Sequence, residues 1–199
     1  MFKKSLVVAL ALLPLTACQT TTSYIDAQDK ATNVVAALSY ADFKEAADSM
    51  ATELIASPLM VHPEPRGRYI IHISDVTNDT MQRIDTDQLV KSMRVKMLNS
   101  GKFLVTTAFN GEDSSTREMR KLKDSKMVNQ ASVKGDGQVY APDFSLSGKI
   151  MQRNASLDSG DTRIEYYFQL SMTNIENGLA YWEGERVVGK VADGDSVSW

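Results

Sequence analysis

The chain has 199 residues, with 22 basic and 25 acidic side chains and a formal net charge of −3 at pH 7. An acidic balance argues against a general nucleic-acid surface, which would be basic, and we expect no nucleic-acid partner. Hydrophobic residues make up 43% of the chain, enough for one core, and the single cysteine excludes an internal disulfide and a thiolate metal cluster.

The first 17 residues have the pattern of a secretory signal. Lys3 and Lys4 precede a short apolar stretch, 5–14, and small residues follow before Cys18. A membrane-spanning helix needs about 20 apolar residues, so we expect this shorter run to be cleaved. Cleavage removes the two lysines and no acid, which leaves 20 basic and 25 acidic side chains and a net charge of −5.

The run Leu15-Thr16-Ala17-Cys18 resembles the lipobox of bacterial lipoproteins. In that motif the cysteine thiol receives a diacylglyceryl group and becomes the first residue of the mature chain. Several acyl chains, such as palmitate, would anchor the protein stably, since each buried methylene contributes about 0.8 kcal/mol. Gln19, in place of aspartate, resembles the sorting pattern for the outer membrane. We therefore predict lipidation at Cys18 and a location on the periplasmic face of the outer membrane; an ordinary signal with an incidental cysteine is the alternative.

A polar segment and a helix come next. Residues 19–33 contain no proline and read as a flexible tether. Ser39 and Asp42 form an N-cap pattern, and Pro58 ends the predicted helix. Its apolar stripe indicates a face that packs on the core, with a partner-docking surface as the alternative. The stripe consists of Phe43, Ala46, Ala47, Met50, Ala51, Leu54 and Ile55.

Two strands and two helices are predicted in the middle of the chain. The apolar run at 68–76 indicates a strand, and 75–83 indicates a surface loop suited to contacts. Asp85, with Gln88 three residues later, predicts the N-cap of a helix that ends at Gly101. Residues 102–107 have the composition of a second strand, and 115–128 predict a weaker helix capped by Ser115 with Glu118.

The C-terminal part predicts antiparallel hairpins. Residues 143–153 alternate with period two, and Gly148 stands where another side chain of the apolar face would be. Asn177-Gly178 predicts a tight turn before a last strand, 179–188. The fold class is therefore α+β, an α/β sandwich whose mixed sheet of four to five strands carries packed helices. A further strand is predicted between 143–153 and 179–188, and its apolar positions are Ile164, Tyr166, Phe168, Leu170 and Met172.

The sequence contains no recognisable catalytic motif. His62 and His72 do not have the spacing of zinc ligands, so we predict no metal site and no cofactor. A calcium or paired-carboxylate site at Asp75, Asp79, Asp85 and Asp87 is the alternative, although the spacing lacks the glycine and glutamate of a calcium loop. We expect a protein that is not an enzyme and has no small-molecule substrate.

The aromatic residues near the C-terminus leave one question open. Alternation along the strands sends Tyr167, and either Tyr181 or Trp182, away from the core. An exposed aromatic patch would suit a protein contact. Helices covering the second face of the sheet would instead make these residues part of the core.

Several short runs together resemble the LpoB family of outer-membrane lipoproteins, which activate bifunctional penicillin-binding proteins. The similarity covers roughly residues 37–190. It lies in Asp75-Val76-Thr77-Asn78, Asn99-Ser100-Gly101-Lys102-Phe103, Leu146-Ser147-Gly148-Lys149-Ile150 and Ala180-Tyr181-Trp182-Glu183-Gly184.

The resemblance implies a small α/β domain similar to the N-terminal domain of TolB and to a domain of CsgG. It also implies that the protein regulates peptidoglycan synthesis by binding and activating a class A penicillin-binding protein. The best-known members carry a long proline-rich linker, which this chain lacks. A structural or assembly role in an outer-membrane secretion or surface apparatus is the alternative.

These predictions divide the chain into four parts. They are a lipoprotein signal peptide at 1–17, the lipidated cysteine and tether at 18–36, the LpoB-like domain at 37–192 and a C-terminal tail at 193–199. The docking surface is expected near the loop 75–83 and beside the C-terminal hairpins, but no motif assigns its contact residues.

Overall fold

The structure is a computed structural model that describes residues 23–31, 34–109, 113–135 and 137–193. The helices and strands, in chain order, are α1 (Tyr40–Ala56), β1 (Tyr69–Asp79), α2 (Asp87–Asn99), β2 (Phe103–Val105), α3 (Ser114–Arg120), a 3-10 turn (Gln130–Ser132), β3 (Phe144–Ser156), β4 (Thr162–Asn174) and β5 (Ala180–Ala192).

The strands form one mixed sheet in the order β2-β1-β3-β4-β5. Strand β1 runs parallel to both β2 and β3, whereas β3, β4 and β5 are joined as antiparallel neighbours. The parallel pairs require crossovers, and α2 supplies the one between β1 and β2. The predicted α+β class, with a mixed sheet and C-terminal hairpins, is confirmed.

Helix α1 forms where the sequence predicts it. The Ser39 side chain accepts a hydrogen bond from the Asp42 backbone, and the Asp42 carboxylate accepts one from the Ser39 backbone at 2.8 Å. This reciprocal pair satisfies donors that the first helical turn leaves free. The helix ends at Ala56, two residues before Pro58, and its apolar stripe faces the core, as predicted.

The middle of the chain corrects three predicted boundaries. Strand β1 continues to Asp79 through an irregularity between Ile73 and Val76, because Val76–Asp79 pair with β3; the loop therefore begins only at Thr80. Strand β2 has only three residues. Helix α3 has seven residues and is capped by Asp113, whose side chain accepts from the Ser115 backbone. Glu118 pairs with Lys121 and not with a cap.

The predicted N-cap of α2, Asp85 with Gln88, is wrong by one residue. Helix α2 begins at Asp87 after the N-cap Thr86, whose side chain makes no capping hydrogen bond. The Asp85 carboxylate accepts a hydrogen bond from the Asp87 backbone at 3.0 Å. Its C-terminus is followed by Gly101 with φ +71°, the left-handed conformation that glycine adopts at low cost.

The core lies between one face of the sheet and the two long helices. Side chains of α1 and α2 join those of β1, β3 and β4 in one cluster, and Phe43 meets Phe168 edge to face at a centroid distance of 5.8 Å. All five predicted core positions of β4 are buried. At Gly148 a Cβ would lie 2.5 Å from Leu170 Cδ2 and 2.8 Å from the Gln169 carbonyl, so the β3–β4 contact requires glycine.

The sheet has two distinct ends. At the near end, β1, β3 and β5 finish, β4 begins and the N-terminal segment approaches α1. At the far end, β1, β2, β3 and β5 begin and β4 finishes. Helix α1 runs from near to far, since Lys102 before β2 donates to the Ile55 carbonyl at 2.7 Å. Among the described residues, no helix has the length and apolar character needed to cross a membrane.

Candidate functional site

The predicted lipidation site, Cys18, lies outside the described residues, as do the signal 1–17 and the first residues of the tether. Residues 23–31 of the predicted tether are described, and Lys30 among them pairs with Asp42 and Glu45 of α1. The structure also describes how the chain that follows joins the domain. That junction, the open face of the sheet and the loop after β1 are the places where the predicted functional residues lie.

A buried ion pair holds the N-terminal segment at the near end. Lys190 of β5 donates to the Asp42 carboxylate at 2.7 Å and to the carbonyls of Val35 and Ala37 at 2.9 and 2.6 Å. An ammonium group has three donors, and all three are used here. Burial of Asp42 opposes its ionisation, but hydrogen bonds from Lys190 and Ser39 outweigh burial and hold the pKa of Asp42 below its ordinary value of 3.8.

A second set of contacts attaches the same segment to the sheet. Tyr166 of β4 donates to the Ala36 carbonyl at 3.3 Å and accepts from the Gln82 side chain at 2.6 Å. The Gln82 amide oxygen also accepts from the Leu38 backbone at 3.3 Å. We call these contacts, together with the Lys190–Asp42 pair, the root clasp. The clasp fixes the place where the chain from the tether meets the domain.

The loop predicted to carry contacts is largely structural. Gln82 belongs to the root clasp, and Asn78 donates to the Gln82 carbonyl at 2.8 Å, which closes the turn after β1. Met81 is the exposed apolar residue of this loop, and its backbone N–H donates to Gln152 of β3 at 3.2 Å. The loop thus connects β1, β3 and the N-terminal segment.

The four aspartates considered for calcium are exposed. Asp79 pairs with Lys149 at 2.5 Å, the Asp85 carboxylate accepts a hydrogen bond from the Asp87 backbone, and Asp75 lies at the irregularity of β1. His62 contacts Tyr69, whereas His72 contacts Phe109 at a centroid distance of 5.9 Å. Within the described residues, no group of three or more His, Cys, Asp or Glu side chains is placed to hold a metal ion.

The second face of the sheet is polar along β3, β4 and β5. We call it the open face, because α1 and α2 both pack on the other side. Its cross-strand rows are Lys149–Gln169–Glu185, Met151–Tyr167–Val187 and Arg153–Glu165–Gly189.

Tyr167 at the centre of the open face has polar partners from the same sheet. Its hydroxyl donates to Glu165 at 2.7 Å, and the Arg153 guanidinium lies 5.3 Å from the ring centroid. The hydrogen bond to Glu165 raises the pKa of Tyr167, and the same bond, with the Arg163 ion pair, lowers the pKa of Glu165. In the neighbouring row, Gln169 donates to Glu185 at 2.7 Å. The face is therefore a solvated surface with internal pairing.

Tyr167, Tyr181 and Trp182, whose exposure the sequence left open, do not all lie on the same face of the sheet. Tyr167 lies on the open face, as predicted. Tyr181 and Trp182 both pack against the buried cluster, because an irregularity between Met172 and Thr173 interrupts the alternation along β5. Of the two alternatives that the sequence left open, an aromatic patch on the open face is reduced to Tyr167, and Tyr181 and Trp182 pack on the core side.

Comparisons with known proteins identify the fold's relatives. The family model described as the peptidoglycan-synthase activator LpoB matches residues 42–188. No curated protein matches the chain at a significant level.

Three solved structures are similar over much of the domain. The LpoB C-terminal domain from Salmonella enterica has 12% identity and a TM-score of 0.46, covering 74% of this chain and 98% of that one. The LpoB C-terminal domain from Escherichia coli has 13% identity and a TM-score of 0.45, covering 75% of this chain and 99% of that one. Lipoprotein GNA1162 from Neisseria meningitidis has 14% identity and a TM-score of 0.34, covering 62% of this chain and 83% of that one.

The assignment rests on the family model, because the structural similarities are too distant to carry an argument of their own. The match spans α1 to β5, the same part of the chain in which the short runs resemble the family. The chain therefore belongs to the LpoB family of peptidoglycan-synthase activators.

Proposed function

We propose that the mature protein is a lipoprotein of the outer membrane, anchored through Cys18, that binds and activates a class A penicillin-binding protein in the periplasm. The observation that carries this proposal is the match of the synthase-activator family to residues 42–188. The lipobox-like run ending at Cys18 supports the anchor. In this proposal the synthase performs the chemistry, and the lipoprotein acts by binding it.

The place where the chain joins the domain limits how far the domain can extend from the outer membrane. Lys30, about 12 residues after Cys18, already pairs with Asp42 and Glu45 of α1, and a chain of that length spans at most about 40 Å. Strands of 13 residues extend about 40 Å, so the far end of the domain adds that length to the tether. The far end therefore lies within about 80 Å of the outer membrane. This reach is available without a long proline-rich linker.

Binding and activation are tested with the purified mature protein lacking its lipid. We expect it to retain a class A synthase in a pull-down and to increase the rate at which that synthase polymerises lipid II. A matched preparation of heat-unfolded protein is the control. A protein that binds the synthase without changing the polymerisation rate would contradict activation, and the absence of binding would contradict the partnership itself.

The anchor is tested separately by Cys18→Ala. We expect this variant to lose incorporation of radiolabelled palmitate and to leave the membrane fraction, because the thiol is the acyl acceptor. Thr20→Ala, two residues away and outside the lipobox-like run, should be labelled and anchored like the wild type. Undiminished labelling of Cys18→Ala would exclude lipidation at this residue.

A further inference from the structure

Four aromatic rings follow one another across the far end of the sheet. The centroid distances are 4.9 Å from His62 to Tyr69, 5.0 Å from Tyr69 to Phe144 and 5.2 Å from Phe144 to Tyr181. Phe144 is buried, whereas the other three rings are partly exposed. The row lies on the side of the sheet that α1 covers, and α1 ends at Ala56.

Exposed aliphatic side chains come from the two segments that flank this row. Leu59 and Val61, which precede β1, are 56% and 65% exposed, and Leu179, immediately before β5, is 61% exposed. The Tyr69 hydroxyl donates to the Val61 carbonyl at 3.2 Å, which holds this segment beside the rings. We call the combined surface of Leu59, Val61, His62, Tyr69, Leu179 and Tyr181 the far-end patch.

The geometry of the rings indicates what kind of ligand fits. Their planes meet at 52°, 87° and 63°, so the His62–Tyr69 pair is tilted and the other two pairs stand edge to face. Rings inclined to one another in this way do not form one continuous flat platform. Such rings, bordered by aliphatic side chains, suit the apolar side chains of a protein surface. The far-end patch therefore favours a protein partner.

The root clasp determines where this patch points. It holds Val35, Ala36 and Ala37 at the near end through Lys190 and Tyr166, so the tether meets the domain at the opposite end from the patch. Because the chain from the tether joins the domain at the near end, the far end is the part of the domain that can extend farthest from the membrane. The far-end patch can therefore reach proteins on the wall side of the periplasm.

We propose that the far-end patch is the surface that docks on an apolar surface of the extracytoplasmic part of the synthase. This inference rests on the proposed function and names its contact surface. The open face is the competing surface, but Tyr167, Arg153, Glu165, Gln169 and Glu185 already pair with one another there. The patch places two partly exposed tyrosines, Tyr69 and Tyr181, beside exposed apolar side chains, and tyrosine is enriched at the energetic centre of interfaces.

The test compares two double variants that add the same charge to exposed aliphatic positions. Val61→Glu with Leu179→Glu alters the far-end patch. Val187→Glu with Val191→Glu alters the open face at side chains that are 49% and 64% exposed. Affinity for a class A synthase is measured by surface plasmon resonance with the mature protein lacking its lipid, and lipid II polymerisation is followed in parallel. Thermal unfolding of each variant checks that the fold is retained.

We expect the far-end double variant to bind at least tenfold more weakly and to lose stimulation in proportion, while the open-face variant stays within twofold of the wild type. Leu59→Glu provides an independent variant of the same patch with the same expected direction. Equal binding by the far-end variants, or loss of binding only in the open-face variant, would overturn the inference while leaving the proposed function intact. If the wild type does not bind, the proposed function fails.

Two other occupants of the patch are outcomes of the same experiments. A concentration-dependent dimer in analytical ultracentrifugation that disappears in the far-end variant would assign the patch to a second copy of this chain. Flotation of the unlipidated protein with phosphatidylethanolamine and phosphatidylglycerol vesicles, lost in the same variant, would assign it to the membrane. Either result would overturn docking on the synthase through this surface.

Discussion

At the residue scale, the Lys190–Asp42 pair is the strongest determinant of how the N-terminal segment is held. Asp42 is 3% exposed, so its carboxylate depends on its hydrogen-bond and charge partners. We expect Lys190→Met to lower the free energy of unfolding at pH 7 by about 3 kcal/mol, because it leaves the buried Asp42 carboxylate with only the more distant and half-exposed ammonium of Lys30 at 3.5 Å. Urea denaturation measures this change. Lys149→Met, which breaks the more exposed pair with Asp79, should cost less than about 1 kcal/mol.

The same residue predicts a pH dependence. Because the folded state holds the pKa of Asp42 below 3.8, the ionised carboxylate stabilises the fold above that pH. This contribution is lost as the pH falls through the lower pKa of the folded state. The difference in unfolding free energy between wild type and Asp42→Asn should therefore be largest near neutral pH and shrink below pH 3.8. A difference that grows on acidification would contradict this assignment.

At the scale of elements, the contact between β3 and β4 depends on one glycine. Gly148→Ala places a Cβ against Leu170 and the Gln169 carbonyl, and we expect it to lower the unfolding free energy by about 2 kcal/mol. Gly189→Ala in β5 is the matched control, because its Cβ would meet no atom within 4 Å. Thermal denaturation of both variants checks the prediction. Equal destabilisation would show that the loss of a strand glycine, and not the overlap, is responsible.

Helix α3 should be the least protected helix of the domain. It has seven residues and buries none of them, and isolated helices of this length are marginal in water. We expect backbone amides of α3 to exchange with deuterium at least about 100-fold faster than those of β4, whose alternate side chains form the core. Mass spectrometry of the peptic peptides measures the difference. Comparable protection of the two segments would indicate packing of α3 that its exposure does not suggest.

Helices and strands were predictable from the sequence wherever residues close together in the chain determine them. The Ser39–Asp42 cap, the stripe of α1 and the alternation of β4 each follow from neighbours in sequence, and each is confirmed. Boundaries that depend on distant partners were not predictable. Strand β1 extends to Asp79 because β3 is there to pair with it, and the predicted long third helix stops at Arg120 because no described partner buries a face of it.

At the scale of the whole molecule, the root clasp makes residues before α1 part of the folded unit. We expect a fragment 34–193 to unfold within about 1 kcal/mol of the mature chain, because it loses only the half-exposed ion pairs of Lys30 with Asp42 and Glu45. A fragment 39–193 should lose about 2 kcal/mol, because Lys190 and Tyr166 lose the carbonyl acceptors of Val35, Ala36 and Ala37. Urea denaturation of the two fragments measures the difference. Equal stabilities would place the domain boundary after the clasp, closer to the predicted start at residue 37.

The sequence by itself determined the fold class, the predicted lipid attachment at Cys18 and the family resemblance, because each depends on local patterns: periodicity, capping, turn residues and short runs. Only the tertiary structure decided that Lys190, 148 positions after Asp42, neutralises it and holds the tether's root. Only the tertiary structure, too, aligned His62, Tyr69, Phe144 and Tyr181 in one row. Contacts between residues so far apart in the chain depend on strand order and on an irregularity in β5, and no local pattern specifies either.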